Sequence, residues 1–227
     1  MKIALCLSGQ SRFLEQAYDE IIHPYLLENN QVDVFIHSWS VDESLIGGRF
    51  INGGGHLMGG SLSSNHNDKV ISLYKPTSHL IEPQIEFEYG KYPERTMPGI
   101  RSDYLYSQFY SVFKCNNLRK IYQTKTGIKY DWVVRSRFDI KLNTPINFNI
   151  DNTQLIIPNG CFNPNGYVDC FAMSNEKVMD VYCGLYNNID YIMENTDTSF
   201  CGEFLLRKHL NSNNLSPKEE LWHSLYR

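Results

Sequence analysis

The sequence has no CxxC pair, no GxGxxG turn and no Walker-type phosphate loop. It also has no apolar run near the roughly 18 residues a membrane helix needs, and no excess of basic residues. Each absence excludes a class. Without paired cysteines, zinc ribbons and disulfide-stapled scaffolds lose their framework. The six cysteines, Cys6, Cys115, Cys161, Cys170, Cys183 and Cys201, are dispersed and mostly sit in apolar patterns. They read as buried free thiols of a reducing compartment, most simply the cytoplasm. Without the glycine fingerprints, dinucleotide and P-loop readings lack their residues. A net charge of −4 over 227 residues argues against a nucleic-acid partner. The opening run Met1–Leu7 breaks at Ser8-Gly9-Gln10-Ser11-Arg12, too early for a signal-peptide core.

What the chain does have is the balance of a folded domain, 42% hydrophobic and 20% charged residues. Its length suits one domain spanning 1–227 that buries roughly 70% of its unfolded surface. Aromatic residues are plentiful, with 15 Tyr, 12 Phe and 3 Trp. Polar-tipped rings suit a wet groove as well as a core. Trp39, Tyr104, Tyr106, Tyr167 and Trp222 fall at element ends where a cleft would form, and Phe109, Phe113 and Tyr182 fall on helical stripes.

Periodicity sets the elements. Ile3–Leu7 is a continuous apolar run ending in a glycine turn, the pattern of a buried parallel strand. Leu14, Ala17, Tyr18, Ile21 and Tyr25 then recur at helical spacing, with Pro24 ending or kinking the helix, and Val32–His37 is a second strand. This βαβ opening predicts an α/β fold with a mostly parallel central sheet flanked by helices. The Gly/Ser-rich stretch of about 44–67 reads as a long mobile loop of the kind that closes over a ligand. Ile81–Tyr89 alternates like a strand, and a long helix runs from Ser102 to Gly127. Asp131–Leu142, Leu155–Ile157 and Tyr167–Met173 read as further strands. Ser174 would cap a helix bearing Val178 to Ile192, and a last helix would run from about Thr198 to Leu210.

Three stretches carry candidate chemistry. In Trp132–Leu142, strand alternation sets Val134, Ser136, Phe138, Ile140 and Leu142 on one face and Arg135, Arg137, Asp139 and Lys141 on the other. Three cations and one carboxylate on a central strand ask for anionic partners. A diphosphate with a divalent ion would answer, arginine forking onto phosphate and aspartate holding the metal. A solvated face or an internal Arg–Asp pair would answer too. Second, Ser8-Gly9-Gln10-Ser11-Arg12 turns from strand to helix at the carboxyl edge of the sheet, where backbone amides and Arg12 suit an anion. Third, Thr198 or Ser199 would cap the last helix and leave Glu203 near its first turn, as a dipole-favoured acid or a general base. Asp169, alone in Val168–Ala172, is the other candidate base. His37 ends the second strand where a nucleotide base would sit, and His223 in the tail is a possible metal ligand or a packed residue.

Taken together, Ala4–Arg12, Asp33–Trp39, Ser107–Leu118, Asp131–Leu142 and Gly166–Ser174 resemble a nucleotide-sugar-dependent glycosyltransferase of the GT-A fold. The likeness is to the small transferases that bacteria, large DNA viruses and phages use for surface glycans. It covers most of the chain and lies in the order and spacing of these stretches. It implies a donor site at Ser8, Gly9, Gln10, Arg12, His37, Arg135 and Arg137, with Mn²⁺ or Mg²⁺ on Asp139 and His223. The family's DxD position reads Arg137-Phe138-Asp139, so only Asp139 matches and Arg137 takes the place of the first acid. Cys201-Gly202-Glu203 is similar to the acidic motif of inverting members, which makes Glu203 the base, with Asp169 behind it. The implied reaction moves a hexosyl or deoxyhexosyl group from a nucleotide-diphosphate sugar to a glycan or glycoprotein acceptor, in the cytoplasm (the host's, for a viral chain). Two other readings use the same residues. One is a nucleotide-sugar or glycan-binding module without catalysis; the other is a metal-dependent phosphotransferase or hydrolase.

Overall fold

The structure, a computed structural model, describes residues 1–40, 65–160, 163, 165–221 and 223–225, with side chains as far as 220. Nine strands are described: β1 (Lys2–Gly9), β2 (Gln31–Trp39), β3 (Ser78–Glu82), β4 (Trp132–Ser136), β5 (Ile140–Leu142), β6 (Ile156–Pro158), β7 (Phe171–Ser174), β8 (Lys218–Leu221) and β9 (His223–Leu225). Seven of them form one sheet in the order β3-β2-β1-β4-β7-β6-β8. The run from β3 to β4 is parallel, β7 is antiparallel to both neighbours, and β6 pairs parallel with β8. This is the expected α/β fold on a mixed, mostly parallel sheet.

Alternation along each strand feeds two cores, one on each face. Ile3, Leu5, Leu7, Val34, Ile36 and Val134 point to one core, and Ala4, Cys6, Phe35 and Val133 to the other. Helix α1 (Leu14–Ala17), prolonged to Leu27 by wider π-helical turns, covers the first face together with α2 (His66–Tyr74). On the second face pack α3 (Ser102–Thr126), α4 (Glu176–Cys183), α5 (Ile189–Asn195) and α6 (Gly202–Ser212). Pro24 explains the π turns. It has no N–H for an i→i−4 bond, and beyond it the chain bonds one residue further back, Glu28 N–H to the His23 carbonyl at 2.9 Å.

Several expectations are corrected. The strand at 131–142 is two strands: β4 stops at Ser136, the chain turns through Arg137–Asp139, and β5 pairs instead with β9. Its apolar face survives the break, since Val134, Phe138, Ile140 and Leu142 all enter the first core. The strand foreseen at Ile81–Tyr89 is β3 and ends at Glu82, because Pro83 has no N–H to continue the ladder. β7 begins only at Phe171, which leaves Tyr167–Asp169 irregular. The α4 cap is Asn175, whose side chain accepts from the Val178 amide at 3.1 Å, because Ser174 is still in β7. α6 starts at Gly202 rather than near Thr198, with no side-chain cap. The glycine-rich loop expected over about 44–67 lies outside the described residues as far as 64; its end, His66 and Asn67, already belongs to α2.

Cys6, Cys115, Cys170, Cys183 and Cys201 are buried free thiols, as expected, and Cys161 lies outside the described residues. No helix among the described residues is long and apolar enough to cross a membrane.

The buried face of α3 carries a polar series at four-residue spacing. Ser111, Cys115 and Arg119 are at most 1% exposed. The Cys115 thiol donates to the Leu7 and Phe35 carbonyls, each at 3.3 Å. Arg119 meets Asp180 on α4 and donates to Asn116 Oδ1 at 2.9 Å. Removing the acid would strand a buried guanidinium. Asp180→Ala should lower unfolding stability by about 2 kcal/mol in urea titration, less than a fully buried pair costs because Asp180 also reaches water.

Candidate functional site

A cleft of about 750 Å³, open solvent at its mouth included, lies at the carboxyl edge of β1, β2 and β4. β2 lies on one side of β1 and β4 on the other, so the crevice is at the switch point where open α/β sheets bind ligands. β1 and its turn supply Ser8, Gly9, Gln10 and Arg12; β2 supplies Trp39; β4 supplies Arg135, and the turn after it Arg137. α3 closes the opposite wall with Tyr104, Ser107 and Gln108, and Gln84 follows β3. The turn needs glycine, because Gly9 has φ +105°, a conformation that L side chains rarely adopt. Gln10–Phe13 separate this turn from α1, whose end does not line the cleft.

Electrostatics sets the character of the cleft. Arg135 is 1% exposed, and its Nη1 donates to the Asp169 carbonyl. It makes no ion pair with any described carboxylate, and its Nε has no hydrogen-bond partner among the described residues. Ser8 Oγ and Arg12 Nε are likewise buried without hydrogen-bond partners. Buried polar groups in native folds are nearly always satisfied, so three orphans around one crevice mark a place for an acceptor-rich group.

Asp139 is 2% exposed and receives both forks of Arg137, Nε to Oδ1 at 2.8 Å and Nη2 to Oδ2 at 2.7 Å. Arg12 Nε lies 3.9 Å from the same carboxylate. Burial alone would raise the Asp139 carboxyl, but the charge and hydrogen bonds of Arg137, with Arg12 behind, hold it below the usual range. Burial lowers the Arg12 guanidinium, with Asp139 opposing.

Among the described residues the donor set does not fit a divalent ion. Both Asp139 oxygens are taken by Arg137, and among the described residues no three His, Cys, Asp or Glu side chains come together as ligands. The His223 side chain lies outside the described residues; its backbone pairs with Leu142.

The structure thus gathers six of the expected donor residues, Ser8, Gly9, Gln10, Arg12, Arg135 and Arg137. His37 is not among them. It is fully buried behind the cleft, with Nδ1 2.7 Å from Ser111 Oγ and Nε2 3.0 Å from Glu82 Oε1. Lys141 is exposed and lies outside the lining. Glu203 also stays outside the lining; its carboxylate accepts from the Cys201 thiol at 2.7 Å, a bond that together with the greater effect of burial pushes that thiol up to about 12. Asp169 stands closer, adjoining the wall, because Gln108 Nε2 donates to its Oδ2 at 2.7 Å. Trp39 and Tyr104 do line the cleft, and Trp39 stacks on Tyr110 with centroids 5.6 Å apart. Tyr106 turns instead to Asp190, and Trp222 lies outside the described residues. Gln84 carried no motif; Ser107, Gln108 and Ser111 lie in the resembling stretch Ser107–Leu118 without a role assigned, and the i, i+4 spacing of Ser107 and Ser111 on one helix was the available signal.

No protein-family model matches the chain, and no curated protein gives a significant match.

Two tests follow. A Cβ on Gly202 would stand 2.7 Å from Asp169 Oδ2 with Leu105 at 3.3 Å behind it. Gly202→Ala should destabilise the fold by about 1–3 kcal/mol through overpacking, and in an Asp169→Ala background most of that cost should vanish in a thermal-unfolding double-mutant cycle. The folded state holds Asp139 below its ordinary value of 3.8, so its ion pair stabilises in full at neutral pH and is lost as pH falls from 3.8 towards the folded value. The stability deficit of Asp139→Asn, read from urea midpoints, should therefore be largest at neutral pH and shrink below 3.8.

Proposed function

We propose that this chain is a GT-A-type glycosyltransferase that binds the diphosphate of a nucleotide-sugar donor in the cleft between β1 and β4. The observation that carries the reading is Arg135, a buried cation with no carboxylate partner among the described residues and an unbonded Nε, beside Arg12, Arg137 and Ser8. A guanidinium forks onto phosphate oxygens, and a diphosphate would satisfy the orphaned donors while neutralising the surplus cations. The nucleoside would extend past Trp39. A neighbouring depression of about 530 Å³, lined by Ile85, Glu86, Phe87 and Asp103 and sharing Gln84 and Tyr104 with the cleft, would admit a glycan acceptor.

In this reading the acceptor oxygen bonds to the anomeric carbon as the carbon–phosphate-oxygen bond breaks, and the electron pair leaves with the diphosphate. Arg135, Arg137 and Arg12 stabilise that charge without relying on a divalent ion. The acceptor's proton goes to a carboxylate, and position favours Asp169 over Glu203, because Asp169 is bonded to a residue of the cleft wall. A cytoplasmic site of action accords with the buried free thiols.

A second reading, a nucleotide-sugar-binding module, is favoured by one observation: among the described residues no carboxylate itself lines the cleft. A thermal-shift and calorimetric screen of nucleotide sugars separates the two. At least one should raise the melting temperature equally with and without EDTA, and Arg135→Met should abolish the rise. Asp169→Asn should bind the donor normally yet lose slow donor hydrolysis by about 100-fold or more. Binding without hydrolysis, unchanged in Asp169→Asn, would establish the module. If no nucleotide sugar raises the melting temperature, both readings fail.

A further inference from the structure

Behind the cleft, a chain of hydrogen bonds runs from Glu82, at the end of β3, to the backbone of the Gly9 turn. Glu82 Oε1 lies 3.0 Å from His37 Nε2, His37 Nδ1 lies 2.7 Å from Ser111 Oγ, and the Gly9 N–H donates to the same Oγ at 2.7 Å. The proton positions follow from what each group can do. An ionised carboxylate only accepts, so Nε2 carries the hydrogen. Nδ1 of the neutral ring then accepts, so Ser111 donates to it. That leaves a lone pair of Ser111 Oγ for Gly9.

A serine, a histidine and an acid at these distances are also the parts of an activated nucleophile. Here the hydroxyl is out of reach, because Ser111 and His37 are both 0% exposed and the oxygen is already engaged by Gly9.

We propose that Glu82, His37 and Ser111 act as a positioning relay that aims the Gly9 turn, and with it Ser8 and Gln10, at the bound anion. The proposal rests on the anion-binding reading of the cleft. The turn has several ties: Gly9 still pairs with Ser38 of β2, the Arg12 N–H closes on the Gln10 carbonyl at 2.9 Å, and Ser11 Oγ lies 2.8 Å from His66 Nε2. The Ser111 bond is the one that holds the amide of Gly9 itself, where φ is +105°.

The relay has a second wiring. Protonated His37 would donate from Nδ1; Ser111 would then accept from it and from Gly9 and turn its own hydrogen to the His37 carbonyl, 3.3 Å away. The groups facing the imidazole are Glu82 from β3, Trp39 from β2, and Tyr110 and Lys114 from α3. Burial lowers the ring below its ordinary 6.5, Glu82 opposes, and Lys114 adds to the lowering. The neutral wiring therefore holds at neutral pH and gives way in acid.

The test uses the full chain and inorganic pyrophosphate, with affinity measured by calorimetry from neutral pH into acid. Ser111→Ala should weaken binding about tenfold at neutral pH and speed hydrogen exchange of the Gly9 amide. The ratio of wild-type to His37→Gln affinity cancels the ligand's own titration, and it should be flat at neutral pH and change at a midpoint below 6.5. Glu82→Gln keeps an acceptor oxygen for His37 but loses the charge that favours imidazolium, so the midpoint should move to lower pH. If Ser111→Ala does not fold, that displacement alone decides. Pyrophosphate binding that Arg135→Met abolishes, but that keeps one affinity and one pH profile across the relay variants, overturns the relay and leaves the anion site standing. No binding by the wild-type chain overturns the relay and the anion site together.

Discussion

The cost of burying one guanidinium organises this molecule. Arg135 sits near the end of the central strand β4, sealed from water, on the face that Val133 turns to the second core. A cation so placed must be answered by acceptors, and the fold answers only in part, with the backbone carbonyl of Asp169. Around it the chain gives up regular structure: β4 ends one residue later, Arg137 and Asp139 close on each other, and Tyr167–Asp169 stay irregular. The crevice at the sheet's edge is the space this arrangement leaves.

A second arginine shows what a completed answer looks like. Arg119 is as deeply buried as Arg135, yet it meets Asp180, Asn116 and Gln123 and ties α3 to α4. One arginine is finished by the protein and holds helices together; the other is left open towards a cleft. The two candidate bases differ in the company they keep. Glu203 is occupied by the thiol of Cys201, just before its own helix, and Asp169 by an amide of the cleft wall.

The apolar pattern made the α/β class, the parallel strands and the first three helical stripes legible, since burial on both faces of a sheet writes long apolar runs into the sequence. Ser8–Arg12, Arg135 and Arg137 were legible as a site because charges in or beside such runs are costly. What escaped was local or three-dimensional. Pro83 was a readable stop that the alternation of Ile81, Ile85 and Phe87 masked. His37 looked like a ligand contact from its place at a strand end, yet which side of the sheet edge a ring takes depends on its partners Ser111 and Glu82, 74 and 45 residues away. The split of 131–142 depended on β9, a strand formed by a segment with no strand-like signal of its own.

The polar series on α3 has a consequence for how this protein can move. Ser107, Ser111, Cys115, Arg119 and Gln123 bind, in turn, Gln84, the Gly9 turn, two strand carbonyls, Asp180 and Glu176. Each residue of advance along a helix turns it by about 100°, so any slip in register would break all five sets of bonds together. α3 therefore works as a key cut for one lock. Whatever motion accompanies ligand binding must be found in the turns around the helix, because the helix itself has only one seat.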